Sequence, residues 1–270
     1  ARGVPLKPLS AIDPSALRTV RGILFDIDDT LTTHGRLTAE AYAAMERAGR
    51  AGLTMIPISG RPAGWCDHIA RMWPVDGVVG ENGAFYFWFD TAARKLMRRF
   101  VKDEAARQAD RERLDGIARQ ILAAVPGAAL ASDQPYREAD IAIDFCEDVA
   151  PLDDAAIDTI RTMMQAAGLN AKVSSIHVNG WLGDYDKRST TRLFFRERYA
   201  IDLDADRDEF LFIGDSPNDA PMFGYFPLSV GVANVRTMLP RLALAPAYVT
   251  EHASGAGFAE AVGRVLAVRR

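Results

Sequence analysis

Short apolar runs alternate with amphipathic segments in the first eighty residues of the chain. Three of these runs are short enough and sufficiently β-branched to predict buried strands, at residues 21–27, 53–58 and 77–80. The alanine-rich segment between the first two runs predicts a helix that is capped by Thr38 and stops at Gly52. Pro62 suits the first turn of a second helix. Strands and helices in this order predict a parallel sheet with right-handed crossovers.

The hydrophobic pattern changes between residues 84 and 184. An aromatic run at residues 85–90 and a mixed apolar and basic stretch at residues 95–101 predict a β-hairpin. Further predicted strands alternate with helices at residues 103–124 and 152–167, which indicates an antiparallel α+β module. We interpret the aromatic run as part of the core of this module, because such runs are more often core than ligand surface.

The parallel pattern returns after residue 187, with predicted strands at residues 209–213 and 228–232 and a helix at the C-terminal end. We therefore predict an α/β fold in which a second domain interrupts a Rossmann-like parallel sheet. The sheet domain is predicted to comprise residues 1–83 and 185–270, and the inserted α+β cap domain residues 84–184.

The composition is that of an ordinary globular protein, with 270 residues, 49% hydrophobic and 25% charged. The net charge of −4 gives no general attraction to nucleic acid or to an anionic membrane. No stretch approaches the roughly 18 apolar residues of a membrane helix, and the N-terminal segment does not resemble a secretory signal. Cys66 and Cys146 form neither a disulfide framework nor a metal-ligand spacing. We predict a cytoplasmic protein, monomeric or homodimeric, without nucleic-acid or membrane partners.

Polar residues follow three of the predicted strands. They form the stretches Asp26-Ile27-Asp28, Ser59-Gly60-Arg61 and Gly214-Asp215-Ser216-Pro217-Asn218-Asp219. Because ligands bind at the carboxyl ends of strands in an open parallel sheet, we expect these stretches to meet at one edge. Crowded carboxylates repel each other unless a cation lies among them, and oxygen ligands of this kind suit Mg²⁺ together with a substrate phosphate.

A charge count supports a phosphorylated ligand at this edge. Asp26 and Asp215 carry −2 when ionised, and a phosphate monoester adds about −1.5 to −2. A divalent cation and Lys187 return +3, so the complete site is close to neutral. Strand-end aspartates are also common as turn residues and helix caps, but all these groups in this order make that explanation the weaker one. The sequence therefore predicts a site for Mg²⁺ and a small phosphorylated molecule.

The four stretches, in this order, resemble the motifs of the haloacid dehalogenase superfamily of phosphotransferases. They are DIDDT at residues 26–30, SGR at residues 59–61, Lys187, and GDSPND at residues 214–219. An insertion between the second and third motifs resembles the type II cap of the Cof-like and sucrose-phosphatase branch, and so does the sequence ENGA that precedes it. One departure is Asp29, which stands where the family usually has glycine.

The resemblance implies a role for each matching residue. Asp26 would attack phosphorus to form an aspartyl-phosphate, and Asp28 would act as the general acid and base. Mg²⁺ would be held by Asp26, the backbone carbonyl of Asp28, and Asp215. The remaining implied roles are phosphoryl binding by Ser59, Gly60 and Lys187, and support of the metal shell by Asn218 and Asp219. Four further candidate substrate contacts are Arg61, Asn82, His177 and Asn179, of which the last two lie in the last predicted cap strand.

The sequence alone leaves three functions open. The favoured one is a Mg²⁺-dependent phosphatase that acts on a small phosphorylated metabolite, with a sugar phosphate as the preferred class. A phosphomutase on the same scaffold would need a phosphorylated intermediate that is shielded from water. A phospho-accepting signalling module of the receiver type has a similar acidic cluster, but it lacks both the large insertion and the acid two residues after the acceptor.

Overall fold

A computed structural model of the chain describes residues 6–269. The strands are β1 Lys7–Pro8, β2 Gly22–Phe25, β3 Thr32–Thr33, β4 Arg36–Leu37, β5 Thr54–Pro57, β6 Val78–Gly80, β7 Phe85–Asp90, β8 Lys95–Phe100, β9 Ala129–Leu130, β10 Asp140–Asp144, β11 Asn170–Val173, β12 His177–Trp181, β13 Phe210–Gly214, β14 Leu228–Gly231 and β15 Tyr248–Val249. The α-helices are α1 Pro14–Arg18, α2 Ala39–Arg50, α3 Ala63–Met72, α4 Glu104–Ala124, α5 Asp154–Ala166, α6 Lys187–Tyr199, α7 Leu203–Asp206, α8 Ala220–Phe223, α9 Val235–Met238 and α10 Ser254–Ala267. Residues 1–5 and 270, at the two ends of the predicted sheet domain, lie outside the described residues.

A six-stranded sheet in the order β1-β15-β14-β13-β2-β5 forms the centre of the fold, and every neighbouring pair in it is parallel. Apolar side chains of its central strands are buried on both faces. On one face they pack against α2 and α10, and on the other against α6 and α8. Burial on both faces explains why these strands are continuous apolar runs without alternation. The predicted α/β fold with a parallel sheet is confirmed.

The two predicted helix signals around the first crossover are also present in the structure. Thr38 is the N-cap of α2, and its hydroxyl accepts a hydrogen bond of 3.3 Å from the backbone N–H of Ala41. The helix ends at Arg50, and Gly52 follows with a φ of +80°. Glycine populates this left-handed region without steric cost, which makes it a common residue just after a helix.

The aromatic run lies in β7, and its interpretation as core of the inserted module is wrong. β7 pairs antiparallel with β6, which is joined to β5 by a bridge between Ile58 and Val79. Phe85 and Phe87 pack towards α3, whereas Tyr86 stacks on Phe194 of α6 with ring centroids 4.6 Å apart. Side chains alternate between the two faces of a strand. Because helices of the sheet domain cover both faces of β7, aromatic residues occupy successive positions from Phe85 to Phe89.

The inserted part has its own antiparallel sheet, in the order β11-β12-β10-β9. Helices α4 and α5 cover one face through a separate hydrophobic cluster that includes Ile141 and Ile143. Alternation then turns the opposite face of β10, with Asp140 and Asp144, towards the parallel sheet. The domain limits at residues 84 and 184 stay a prediction, and the strand pairing favours an insertion that begins after β8.

Two further observations concern the cellular setting. Among residues 6–269, no helix combines the length and the hydropathy needed to cross a bilayer. Cys66 and Cys146 are both free thiols. The cytoplasmic location stays a prediction.

Candidate active site

The sheet order brings the first and last motifs together. β2 and β13 are neighbours in parallel register, with Phe25 opposite Ile213. The next residue after β2 is Asp26, whose backbone N–H donates a hydrogen bond of 2.9 Å to the carbonyl of Ile213. Asp215 directly follows β13. Both aspartates therefore leave the sheet at the same edge, as the sequence predicts.

Three carboxylates and one ammonium group form the centre of the site. One carboxylate oxygen from each of Asp26, Asp215 and Asp219 lies within 4.8 Å of the others, and all three residues are buried. Lys187, at the first position of α6, donates hydrogen bonds of 2.9 Å to Asp26 Oδ1 and 2.7 Å to Asp219 Oδ1. With all groups ionised the cluster carries three negative charges against one positive charge.

The electrostatics of this cluster favour the binding of a cation. Burial and the nearby Asp219 raise the pKa of Asp26 to about 8, although Lys187 opposes the shift. Burial and the carboxylates of Asp219 and Asp26 raise the pKa of Asp215 well above its ordinary value. Burial opposes the charge on Lys187, but Asp219 and Asp26 outweigh it and raise the pKa of the ammonium group. Buried carboxylate oxygens with excess negative charge fit a hard divalent cation such as Mg²⁺.

Neighbouring polar groups hold the carboxylates in place. Thr30 Oγ1 donates a hydrogen bond of 2.9 Å to Asp215 Oδ1, and Asn234 Nδ2 lies 3.3 Å from Asp215 Oδ2. Asp219 Oδ2 accepts hydrogen bonds from the backbone N–H groups of Asp215 and Ser216, at 3.1 and 3.3 Å. Asn234 follows β14 and was not predicted, because a single asparagine in a loop has no distinctive sequence context.

The second motif lies beside the cluster, in the loop that follows β5. Ser59 is buried, and its Oγ accepts a hydrogen bond of 3.1 Å from the backbone N–H of Arg61. A Cβ atom on Gly60 would lie 3.2 Å from Asn82 Nδ2 and 3.5 Å from Asn179 Oδ1. Asn82 Nδ2 is buried and has no hydrogen-bond acceptor among the described residues. An anionic oxygen, such as a phosphoryl oxygen, would satisfy this donor.

Asn218 lies close to the same loop. Its Nδ2 is 3.4 Å from Asn82 Oδ1, and its own Oδ1 accepts a hydrogen bond of 2.7 Å from Ser216 Oγ. The structure therefore places this predicted supporting residue, which belongs to the last motif, next to Asn82.

Asp28 does not join the carboxylate cluster. Its carboxylate accepts hydrogen bonds from Arg61, from Nε at 3.1 and 3.0 Å and from Nη2 at 2.8 Å. Arg61 also contacts two carboxylates of the inserted part, Asp133 at 3.2 Å and Glu147 at 2.7 Å. Burial opposes the charge on Arg61, but Asp28 and Glu147 outweigh it and raise the pKa of the guanidinium. Arg61, predicted as a substrate contact, therefore connects Asp28 to the insert.

A second arginine links the insert to the loop that follows β5. Arg137 is buried and donates hydrogen bonds of 2.9 Å to the carbonyl of Gly60 and 3.0 Å to Asp140 Oδ1. It also donates 3.0 and 3.2 Å hydrogen bonds to Asp133. Asn179 Nδ2 donates a hydrogen bond of 3.0 Å to the other carboxylate oxygen of Asp140. The prediction missed Arg137, Asp133 and Asp140, although an aspartate at the start of the apolar strand β10 was a signal that a buried charge needs a partner.

Glu81 contacts the insert from the sheet domain, and His177 lies within the insert beside the same junction. The Glu81 carboxylate accepts hydrogen bonds from the backbone N–H groups of Ala63, Glu138 and Ala139, at 2.9, 2.9 and 2.6 Å. Burial and Asp140 raise the pKa of Glu81 to about 8. His177, a predicted substrate contact, is buried with Nε2 2.8 Å from a Glu147 oxygen. It therefore contacts the site through Glu147.

A cavity of about 310 Å³ lies between the insert and the loop after β2. Its lining comprises Asp28, Asp29, Thr32, His34, Gly35, Arg61, Cys146, Glu147, Ser175 and Ile176. Asp29, which replaces the usual glycine, has a φ of 55°. Aspartate is among the few non-glycine residues that enter this left-handed region routinely, so the loop keeps a glycine-like backbone.

Comparisons with known proteins agree with this architecture. A family model described as haloacid dehalogenase-like hydrolase matches residues 195–262. A phosphoglycolate phosphatase of Methanothermobacter thermautotrophicus is 26% identical over 251 residues, which cover 92% of this chain and 99% of that protein. A phosphoglycolate phosphatase of Thermoplasma acidophilum is 25% identical over 215 residues, 76% of this chain and 81% of the relative. The structure of sucrose-phosphatase from Synechocystis, in complex with sucrose and phosphate, superposes with a TM-score of 0.62 at 16% identity, covering 91% of this chain and 98% of that one.

Proposed function

We propose that this chain is a phosphatase of the haloacid dehalogenase-like hydrolase type, and that it hydrolyses a small phosphate monoester through a phosphorylated Asp26. The observation that supports this most is the position of Lys187, which bonds both Asp26 and Asp219 inside a buried acidic cluster. A buried ammonium group there would attract the phosphoryl oxygens to the carboxylate that attacks them.

The reaction proceeds in two halves. An Asp26 carboxylate oxygen attacks phosphorus while the bond from phosphorus to the leaving oxygen breaks, and that oxygen takes a proton from Asp28. In the second half, the Asp28 carboxylate takes a proton from water, and the water oxygen attacks phosphorus. The bond from phosphorus to Asp26 then breaks, which releases inorganic phosphate and restores both aspartates. Ser59, the Gly60 amide and Lys187 hold the phosphoryl oxygens.

Mg²⁺ is the proposed cofactor. Asp26, Asp215 and Asp219 would hold it, and when bound it supplies positive charge close to the phosphoryl group. The donors are carboxylates without sulfur or imidazole, a set that favours Mg²⁺ over softer transition metals. A role for the backbone carbonyl of Asp28 stays a prediction.

The proposed leaving group is a neutral, hydroxyl-bearing molecule such as a sugar. The cavity beside Asp28 is lined by three acidic residues and by two residues that can carry positive charge, which are Asp28, Asp29, Glu147, Arg61 and His34. Carboxylates accept hydrogen bonds from hydroxyl groups, whereas they repel an anionic leaving group. Arg61 already contacts three carboxylates, so its charge is compensated within the protein.

The insert would set substrate choice. The phosphoryl-binding motifs recognise a group that every phosphate monoester carries, so discrimination must come from contacts to the leaving portion. Insert residues Cys146, Glu147, Ser175 and Ile176 form one wall of the cavity in which that portion would lie.

A second candidate substrate is 2-phosphoglycolate, because the two curated relatives described above are named phosphoglycolate phosphatases. Its leaving group carries a carboxylate, which would need Arg61 to exchange one of its three carboxylate partners for the substrate.

Phosphate release from a hexose 6-phosphate and from 2-phosphoglycolate tests both candidates. We expect kcat/KM for the hexose phosphate to be at least about tenfold higher, equivalent to ~1.4 kcal/mol of discrimination. The reverse ranking would favour the second candidate.

Asp26→Asn should lower phosphate release from either compound by about a thousandfold or more, because an amide is a poor nucleophile. Asp158→Asn, a change at an exposed position on α5, is the matched control. Activity in a folded Asp26→Asn protein similar to that of the control would contradict the proposal.

Phosphorus NMR of the products distinguishes hydrolysis from a phosphomutase reaction. A phosphatase accumulates inorganic phosphate, whereas a phosphomutase accumulates an isomeric phosphate ester. We expect inorganic phosphate as the main product.

A further inference from the structure

Arg61 stands at the junction between the sheet domain and the insert. It belongs to the loop after β5, and its guanidinium contacts one carboxylate of the sheet domain, Asp28, and two of the insert, Asp133 and Glu147. The indole ring of Trp65 lies against the guanidinium, 4.2 Å from ring centroid to Cζ. Arg61 is only 4% exposed, so these contacts replace nearly all of its hydration.

The geometry of the Arg61–Asp28 pair is specific. Nε and Nη2 both reach the same carboxylate, in the forked arrangement that fixes its orientation as well as its distance. Within residues 6–269, Arg61 is the only side chain that donates hydrogen bonds to the Asp28 carboxylate. Lysine would keep the charge but could not hold both edges of the carboxylate in this way.

The two insert carboxylates are themselves held in place. Asp133 accepts hydrogen bonds from Arg137, which also bonds Asp140 and the Gly60 carbonyl. Glu147 contacts His177 on its other oxygen. Burial opposes ionisation of Glu147, but His177 and Arg61 outweigh it and lower its pKa to about 2. The guanidinium is therefore oriented by groups that reach it only when the insert is docked.

We propose that Arg61 is a positioning residue that couples docking of the insert to the action of Asp28 in the second half of the reaction. This inference rests on the proposed function, in which Asp28 takes a proton from the attacking water. The forked contact with Arg61 fixes the direction in which the Asp28 carboxylate oxygens point. Docking of the insert thus aims the base at the phosphorylated Asp26, and undocking leaves Arg61 without two of its three carboxylates.

Separate measurement of the two half-reactions tests this role. 2,4-Dinitrophenyl phosphate has a leaving group that departs without a proton, so the rate of phenolate release with enzyme in excess reports only the first half. In Arg61→Lys we expect that rate within about threefold of the wild type. Steady-state kcat should fall about 10- to 100-fold, because a displaced general base loses part of its usual contribution.

Two kinetic results would distinguish a positioning role of Arg61 from a general effect on the structure. Hydrolysis of the phosphoenzyme becomes rate-limiting in Arg61→Lys, so a burst close to one phenolate per active site should precede slow turnover. The kcat values for dinitrophenyl phosphate and for a hexose 6-phosphate should also converge. Glu147→Gln should also show a burst, but a smaller one, because it weakens one of the two contacts between Arg61 and the insert.

Arg71→Lys is the matched control, since Arg71 lies on α3 and pairs with Asp67 at the surface. It should behave like the wild type in both measurements. The positioning role would be overturned if Arg61→Lys lowered the rate of the first half-reaction and the steady-state kcat by similar factors, without a burst. An unchanged kcat in Arg61→Lys would overturn it as well. If Asp26→Asn also released dinitrophenolate at the wild-type rate, the proposed function itself would fail.

Discussion

Addition of Mg²⁺ to metal-free protein should raise its melting temperature, because the ion would bind the folded carboxylate cluster and not the unfolded chain. Asp26, Asp215 and Asp219 hold three carboxylates within 4.8 Å of one another, with Lys187 as the compensating charge. The unfolded chain separates these residues and loses the site. Binding to the folded state alone stabilises it in proportion to the logarithm of the ion concentration.

The size of the effect follows from the length of the chain. At an Mg²⁺ concentration of about 100 Kd, binding stabilises the folded state by ~2.7 kcal/mol. With about 2.1 cal/mol/K of unfolding entropy per residue, a chain of 270 residues has an unfolding entropy of roughly 0.57 kcal/mol/K. The melting temperature should therefore rise by about 5 °C. Asp215→Asn removes one charged ligand, and if affinity falls tenfold, the shift at the same concentration should be about 2.5 °C.

Differential scanning calorimetry with and without Mg²⁺ measures the shift independently of any activity. Asp158→Asn is the control, because Asp158 is an exposed residue of α5 whose change should leave the shift at its wild-type value. A wild-type melting temperature that does not respond to Mg²⁺ would refute the metal assignment. An equal shift in Asp215→Asn would refute the place of Asp215 in the site.

Three further predictions address the metal, the insert contact and the core. Exhaustive chelation should abolish phosphate release in a colorimetric assay, Mg²⁺ should restore it, and Ca²⁺ should inhibit it because its looser coordination would misplace the nucleophile. Glu147→Gln should cost about 1–2 kcal/mol in urea unfolding near pH 7, after allowance for solvent screening. Because the folded pKa of Glu147 is lowered to about 2 from 4.5, this difference from the wild type should be complete above pH 4.5 and disappear as the pH falls towards 2. Phe194→Ala should cost about 3–5 kcal/mol in the same experiment, whereas Leu244→Ala, at a half-exposed position, should cost much less.

Local patterns in the sequence were sufficient for most of the secondary structure. The apolar run before Asp26 became β2, and the segment after Thr38 became α2 with the predicted cap. Such features depend on neighbouring residues along the chain, through side-chain periodicity and capping. Short strands such as β1 and β15 were missed, because two residues of extended chain carry no detectable period.

The aromatic run of β7 illustrates the limit of pattern reading. Its composition predicted a buried strand correctly. Its contact with α6 across one face depends on where the chain returns after the insertion. A run that is apolar at every position indicates burial on both faces but does not say which elements cover them.

In the candidate site, too, the sequence predicted some of the contacts and the tertiary structure alone showed the others. The order of the motifs predicted that Asp26, Lys187 and Asp215 would meet, because the carboxyl ends of parallel strands share an edge. Only the tertiary structure brought Asp219 into the carboxylate cluster and turned Asp28 towards Arg61.

The insert contributes the contacts that no motif predicts. Asp133 and Glu147 lie 72 and 86 positions from Arg61 in the chain, and they reach it from the segments that follow β9 and β10 of a separate antiparallel sheet. Each has an ordinary polar sequence context, and nothing local marks it as the partner of a particular arginine. The sequence alone determined which chemical groups lie at the strand ends, because that depends on neighbouring residues. The tertiary structure decided how those groups pair, because a buried charge takes its partner from whichever element packs against it.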